Sequence, residues 1–275
     1  MERTGCKSGH NGCSGRPGVR HMTILSGIGS SHGIVAGQIH FFNNAAKSEK
    51  ARKTLDPAAE NERFERARAA AVGMLGELRE RAAREVGGDE AMIFDTQRMI
   101  LEDLDFIDAV AKLILEDGYV AEYAVQEAGH RFARVFWRMD DAYLRERGAD
   151  IVDLCNGLIR QLRGLKEQEL CGARGQWVIA AHRFLPSEVI RLERGRVLAI
   201  VTSGGTRDSH ASILARTMGV PAVVGVGKGL FALREGEISV VDGYSGRVFI
   251  HPDERTLKAV REQCHGPRVM IPAIE

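Results

Sequence analysis

A histidine stands just past a glycine-rich turn in Ser203-Gly204-Gly205-Thr206-Arg207-Asp208-Ser209-His210-Ala211-Ser212-Ile213-Leu214-Ala215-Arg216. The apolar run Val197–Thr202 before the turn reads as a strand. Residues 211–218 after it read as a helix closed by Gly219 and followed by Pro221. Glycines let backbone N–H groups bend toward an anion, and a helix start adds unpaired donors and partial positive charge. Asp208 or Ser209 suits the helix cap. An imidazole beside such a cradle suits reversible phosphoryl transfer, because its neutral nitrogen is nucleophilic near pH 7. The protein's share of the work is then positioning and charge stabilisation. A phosphoryl group held on nitrogen can pass to a second histidine in line, a step for which this argument requires no metal. The residues alone also allow a histidine that merely caps or packs the helix, since an isolated Gly-rich turn is a weak signal.

Strands are expected on both sides of a long helical stretch. Residues 34–42 read as a strand with Gly37 as a close-approach point. Pro57 then opens a helix whose Phe64, Ala67, Ala71, Leu75, Leu78 and Ala82 share one stripe, ended by Gly87-Gly88. Further helices are predicted over residues 90–101, 104–115, 121–146 and 150–162. The fourth is expected to bury Ala128, Phe132, Val135 and Met139. Short polar connections make this a bundle of about 110 residues. Past Gly164 the period changes. Residues 176–181 and Val197–Thr202 are short apolar runs, and Ile238–Asp242 with 246–250 predict a hairpin through Gly243-Tyr244-Ser245. The simplest arrangement is an α/β domain with an all-α helical domain inserted in it.

The chain has 275 residues, enough for two moderate cores, with 44% hydrophobic and 27% charged residues. A net charge of +1 offers no bulk attraction for nucleic acid or an anionic membrane. No apolar run approaches the roughly 20 residues needed to cross a bilayer, nor is there a secretory stretch at the amino terminus, so a cytoplasmic location is expected. Five irregularly spaced cysteines argue against a disulfide framework. Cys6, His10 and Cys13 lack a fourth zinc ligand nearby, and residues 1–22 read as a disordered leader. No metal site is expected.

Ser209-His210, Ser212-Ile213-Leu214-Ala215-Arg216 and Gly219-Val220-Pro221-Ala222-Val223-Val224-Gly225 resemble the active-histidine signature of Enzyme I, the phosphoenolpyruvate-protein phosphotransferase family of bacterial sugar uptake. A related signature occurs in the mobile phosphohistidine domains of dikinases. Within the helical block, Ile93-Phe94-Asp95-Thr96-Gln97 with Met99-Ile100-Leu101-Glu102-Asp103, and residues 141–150, resemble the part of Enzyme I that docks the carrier protein HPr. Pro186-Ser187-Glu188 and the opening residues 26–37 fit as well, so the resemblance spans about residues 23–252.

The resemblance implies an α/β phosphohistidine (swivelling) domain with an inserted all-α helical bundle domain. The expected division is a leader over 1–22, the α/β domain over 23–46 plus 165–252, the HPr-binding bundle over 47–164, and a tail or start of a linker helix over 253–275. It implies that His210 is phosphorylated on the ring nitrogen distal to the backbone. Gly205, Thr206, Arg207 and Ser209 would bind the phosphate. Arg147 would fork its oxygens, a salt bridge to Asp150 being the simpler alternative. Met99, Ile100, Asp103, Asp105, Phe106 and Leu144 would receive HPr. Taken alone, Met99 and Ile100 read as ordinary core residues.

Departures from the family stand at Asp208, Ala211, Val152 and Val189, the last two replacing an arginine and a threonine. The chain also ends about 25 residues after the last predicted strand, where the family continues into a β/α-barrel that binds phosphoenolpyruvate and Mg²⁺ and makes the dimer. A monomer that cannot load itself from phosphoenolpyruvate is therefore expected. Two other readings stand beside the phosphoryl carrier: a dikinase-like swivelling domain, which needs no helical insert, and a non-catalytic module that docks HPr.

Overall fold

The computed structural model describes residues 22–42, 49–165, 175–193 and 195–263. The leader up to residue 21, the Cys6, His10 and Cys13 group, Cys171 and Cys264, and the chain beyond residue 263 lie outside the described residues.

The chain opens with β1 (Thr23–Ser26), β2 (Ile28–Ser31) and β3 (Ile34–Phe41). Five helices follow: α1 (Pro57–Glu85), α2 (Gly88–Glu102), α3 (Leu104–Leu115), α4 (Ala121–Trp137) and α5 (Ala142–Leu162). The chain then alternates β4 (Trp177–Ala181), α6 (Pro186–Ile190), β5 (Val197–Thr202), α7 (His210–Thr217) and β6 (Ala222–Val224). A 3₁₀ turn at Gly227–Ala232 leads to β7 (Ile238–Asp242), β8 (Arg247–Ile250) and α8 (Glu254–Gln263).

All eight strands join one sheet in the order β1-β8-β7-β3-β4-β5-β6-β2. Strands β3, β4, β5 and β6 are parallel, so each step between them needs a crossover. The crossovers are the five-helix bundle, then α6, then α7. The bundle is thus an enlarged crossover between two neighbouring parallel strands, which is how one chain carries an all-α insert without opening its sheet. Strands β1 and β2 occupy opposite ends of the sheet order although Gly27 alone separates them, so this segment spans both edges. A Cβ at Gly27 would stand 2.5 Å from the Val224 carbonyl oxygen.

The apolar stripe of α1 packs as its spacing predicts, with Phe64, Ala67, Leu75, Leu78 and Ala82 buried and Ala71 partly so. Asp56 caps this helix by accepting from the Ala59 N–H at 3.0 Å, and Pro57 takes its first position. Arg63 joins α1 to α4, donating to Glu60 at 2.7 Å and to Glu122 at 2.6 Å. Burial raises the Glu60 pKa, but the Arg63 guanidinium and the Ala121 N–H together outweigh it and hold the carboxyl below its ordinary value.

The fourth helix differs from the sequence expectation. It ends at Trp137, and a new helix begins at Ala142 instead of Asp150. Asp141 ends the break by accepting from the Leu144 N–H at 3.3 Å. Of the four residues expected inside, Ala128 is buried and Phe132 partly so, while Val135 and Met139 are exposed. The buried face of α4 runs instead through Ala121, Ala124, Val125, Ala128 and Ala133. Small residues decide the packing here. A Cβ on Gly148 of α5 would lie 2.6 Å from Trp137 Nε1, and one on Gly129 of α4 would lie 2.4 Å from the Cys155 sulfur. The helical period alone does not register that close approach, which selects a face of alanine and glycine over one of larger side chains.

The hairpin of β7 and β8 forms in antiparallel register, with Ser239 opposite Ile250 and Asp242 opposite Arg247. Gly37 is a close-approach point, its missing Cβ leaving room for the Leu198 side chain. Beyond β8, α8 buries Leu257 and Val260 against Ala36 and Val240. Among the described residues no helix is long and apolar enough to cross a membrane.

Candidate functional site

Strand β5 is buried at every residue and ends at Thr202, whose hydroxyl donates to the Gly204 carbonyl at 2.7 Å. The turn that follows depends on Gly205, whose φ of 96° is open to glycine and strained for other residues. Ser209 caps α7, its hydroxyl oxygen accepting from the Ser212 N–H at 3.3 Å. The Ser209 hydroxyl donates to the Ser212 oxygen at 3.0 Å, and the Ser212 hydroxyl donates to the Thr206 carbonyl at 2.7 Å. These bonds tie the loop to the first turn of the helix, and His210 is that helix's first residue. Asp208 is exposed and leaves the cap to Ser209.

The inserted bundle brings two side chains to this point. One guanidinium nitrogen of Arg147, on α5, lies 2.9 Å from Nε2 and 3.2 Å from Nδ1 of His210. The ring nitrogens diverge in the ring plane, so one N–H cannot serve both lone pairs, and Arg147 stands over the imidazole as a cation. Asp150 places Oδ2 at 3.3 Å from Nδ1 and at 3.5 Å from Arg147. The His210 side chain is 23% exposed, so the ring is neither sealed in the core nor free in solvent.

A cleft lies between α5 and the glycine turn, walled by Asp150, Asp153, Arg183, Thr202, Gly205 and Ser209. It sits beyond the carboxyl ends of β4 and β5, where ligands of parallel α/β sheets gather. On the same turn, the Thr206 hydroxyl is buried without a hydrogen-bond partner among the described residues.

Burial in this cleft pushes the Asp153 carboxyl up to about 7, with Asp150 and Glu188 reinforcing the rise and Arg183 and Arg160 opposing it. A folded-state value above the unfolded one means stability that is complete at acid pH and is lost as pH rises toward 7. We expect Asp153→Asn to remove this loss, stabilising the protein at pH 8 by on the order of 1–2 kcal/mol, and to change little near pH 4. Denaturant midpoints of both proteins across that range check it. Equal slopes against pH would refute it.

The structure brings Arg147 to His210, sets Ser209 as the cap of its helix and lines the adjoining cleft with Gly205 and Ser209, while Thr206 is tied to Ser212 through its carbonyl and Arg207 is exposed. The residues expected to receive a partner divide. Met99 is 69% exposed, Asp103 and Asp105 are exposed, and Ile100 and Leu144 are half-buried. Phe106 is corrected to a core residue: it is fully buried and meets Phe132 edge to face with centroids 5.7 Å apart. Asp103 caps α3 by accepting from the Phe106 N–H at 3.2 Å. The face is better described by Met92, Thr96, Met99 and Asp103, which follow one another at helical spacing, with exposed Leu104 beside them.

Asp153 and Arg183 were not anticipated as site residues, and Asp150 was read only as an ion-pair partner. A signal was present, since Arg147, Asp150 and Asp153 recur every third residue and share a helix face. Among the described residues, no group of three or more His, Cys, Asp or Glu is placed to hold a metal ion.

The fold and site define the class: a mobile phosphohistidine-type α/β domain carrying an inserted helical bundle. Two family profiles match, the amino-terminal domain of phosphoenolpyruvate-utilising enzymes over residues 26–147 and their mobile domain over residues 174–246. The phosphoenolpyruvate-protein phosphotransferase of Bacillus subtilis (strain 168) is 32% identical over 242 residues, 88% of this chain and 42% of that protein. Its counterpart from Haloferax volcanii is 41% identical over 194 residues, 70% of this chain and 34% of that protein. The solution structure of the Enzyme I protein nEIt superposes with a TM-score of 0.67 at 29% identity, covering 87% of this chain and 97% of that one. The chain belongs to the phosphoenolpyruvate-utilising enzymes of Enzyme I type, and comprises their amino-terminal and mobile domains. It spans about two fifths of the length of the curated relatives it matches.

Proposed function

We propose that this chain accepts a phosphoryl group on Nε2 of His210 and exchanges it with the phosphocarrier HPr, as part of a cytoplasmic phosphotransferase for sugar uptake. The observation that carries the reading is the imidazole at the start of α7, part exposed, with a guanidinium 2.9 Å from Nε2. In-line attack by the Nε2 lone pair forms the N–P bond while the donor's bond to phosphorus breaks. The developing charge on the phosphoryl oxygens is met by Arg147, the Thr206 hydroxyl and the N–H groups of the Gly205 turn. The Met92, Met99 and Leu104 face, edged by Asp103 and Asp105, suits a small partner with apolar contacts and a basic rim. The monomeric protein would suffice for this exchange.

Incubation with phosphorylated HPr is expected to add one phosphoryl mass to this chain, stable in alkali and lost in acid. Intact-mass measurement reads it directly, and an unchanged mass after prolonged incubation would overturn the proposal.

A further inference from the structure

We infer that Asp150 is the positioning residue that keeps the proton of His210 on Nδ1, and so makes Nε2 the nucleophile. The inference rests on the phosphoryl-carrier reading and adds to it the group that selects the reacting nitrogen.

Two described residues contact the ring. Arg147 stands over the ring with one nitrogen 2.9 Å from Nε2 and 3.2 Å from Nδ1, and as a donor-only group it offers neither nitrogen an acceptor for a proton. Asp150 places Oδ2 3.3 Å from Nδ1, the one carboxylate paired with the ring among the described residues, and its negative charge favours a proton on that nitrogen. Val189, which lines the adjoining cleft, has no side-chain polar atom to offer instead. The carboxylate beside Nδ1 selects the tautomer protonated there, whereas a histidine side chain left to itself favours the proton on Nε2.

The carboxylate is shared in the resting state, since Arg147 lies 3.5 Å from the same oxygen. Phosphorylation on Nε2 redistributes these contacts. The N–P bond forms from the Nε2 lone pair, the bond to the donor's imidazole breaks and returns its electrons to the donor nitrogen, and no proton leaves Nδ1. The ring becomes cationic, the guanidinium turns to the phosphoryl oxygens, and Asp150 closes on Nδ1–H. Return of the group to an acceptor imidazole reverses each step.

Asp150 belongs to α5 of the bundle, and His210 to α7 of the α/β domain. The nucleophile is therefore set by the opposite domain, and only while the two are packed as here.

The test is the tautomer itself, read by long-range ¹H–¹⁵N correlation of the His210 ring in the unphosphorylated full chain at alkaline pH, together with phosphoryl exchange against phosphorylated HPr. The wild type is expected to carry its proton on Nδ1. Asp150→Ala is expected to move it to Nε2 and slow exchange by roughly 10²-fold or more. Asp150→Asn, which keeps an acceptor oxygen and the residue's volume, is expected to restore the tautomer and part of the rate. An Nε2-protonated wild type overturns the inference, as does an Asp150→Ala protein that stays Nδ1-protonated and exchanges within about twofold of wild type. The tautomer is measured without any phosphoryl donor. A wild type that takes no phosphate would therefore sink the carrier reading and leave the role of Asp150 separately decided.

Discussion

His210→Ala is expected to take up no acid-labile phosphate from phosphorylated HPr, while still binding it. The reacting lone pair belongs to one nitrogen, and removing it leaves the cradle with nothing to form the N–P bond. His182, just past the carboxyl end of β4, is exposed and its Nδ1 is engaged with the Ser203 hydroxyl at 2.7 Å. The measurement is intact mass before and after acid treatment, with a titration of HPr binding alongside. Phosphate appearing on His210→Ala at the wild-type rate would place the chemistry on another residue. Binding lost together with phosphate would mean that the substitution had disturbed more than the ring, since the docking face proposed above lies on α2 and α3 rather than on α7. The substitution itself should fold, because the His210 side chain is part exposed and α7 keeps its Ser209 cap.

Arg147→Ala is expected to slow phosphoryl exchange by about 10²- to 10³-fold, the usual effect of removing one preorganised donor from a developing oxyanion. Its guanidinium already stands 2.9 Å from Nε2, so a small swing brings its planar fork to the phosphoryl oxygens. Arg147→Lys should fall between, because an ammonium supplies charge without the fork. Stability separates this role from a structural one. The pair with Asp150 is long, 3.5 Å, and a quarter exposed on the arginine side, so its loss should shift unfolding by no more than about 1 kcal/mol. A large fall in denaturant midpoint with little change in exchange rate would reverse the assignment and make Arg147 a structural residue.

The elements that hold these groups were legible in sequence to different degrees. Helix α1 was readable in full because six apolar positions recur on one stripe and both ends carry caps. Strand β5 and the start of α7 were readable because an apolar run, a glycine turn and a serine cap follow one another without interruption. The break between α4 and α5 was not, since residues 138–141 interrupt no periodic pattern and Asp141 caps only once the chain has turned. Strands β1, β2 and β6 were missed as separate elements, being three or four residues long and defined by partners distant in sequence, such as Ile250 for Thr23. Phe106 was misplaced because an aromatic next to exposed acids looks the same in sequence whether it faces a partner or Phe132.

The primary structure by itself determined the local chemistry: an imidazole at a helix start behind a glycine turn, an arginine and two aspartates at successive three-residue steps, and a helical block lodged between strands. These follow from backbone preferences and side-chain spacing, which act over a few residues. Only the tertiary structure decided that the arginine, the first of those aspartates and the histidine meet, and that Asp153 is pushed toward neutrality in the cleft beside them. The residues concerned lie 57 to 63 positions apart along the chain, as His210 and Arg147 do at 63. Distances between them are set by how the bundle packs back onto the sheet, which no local pattern encodes.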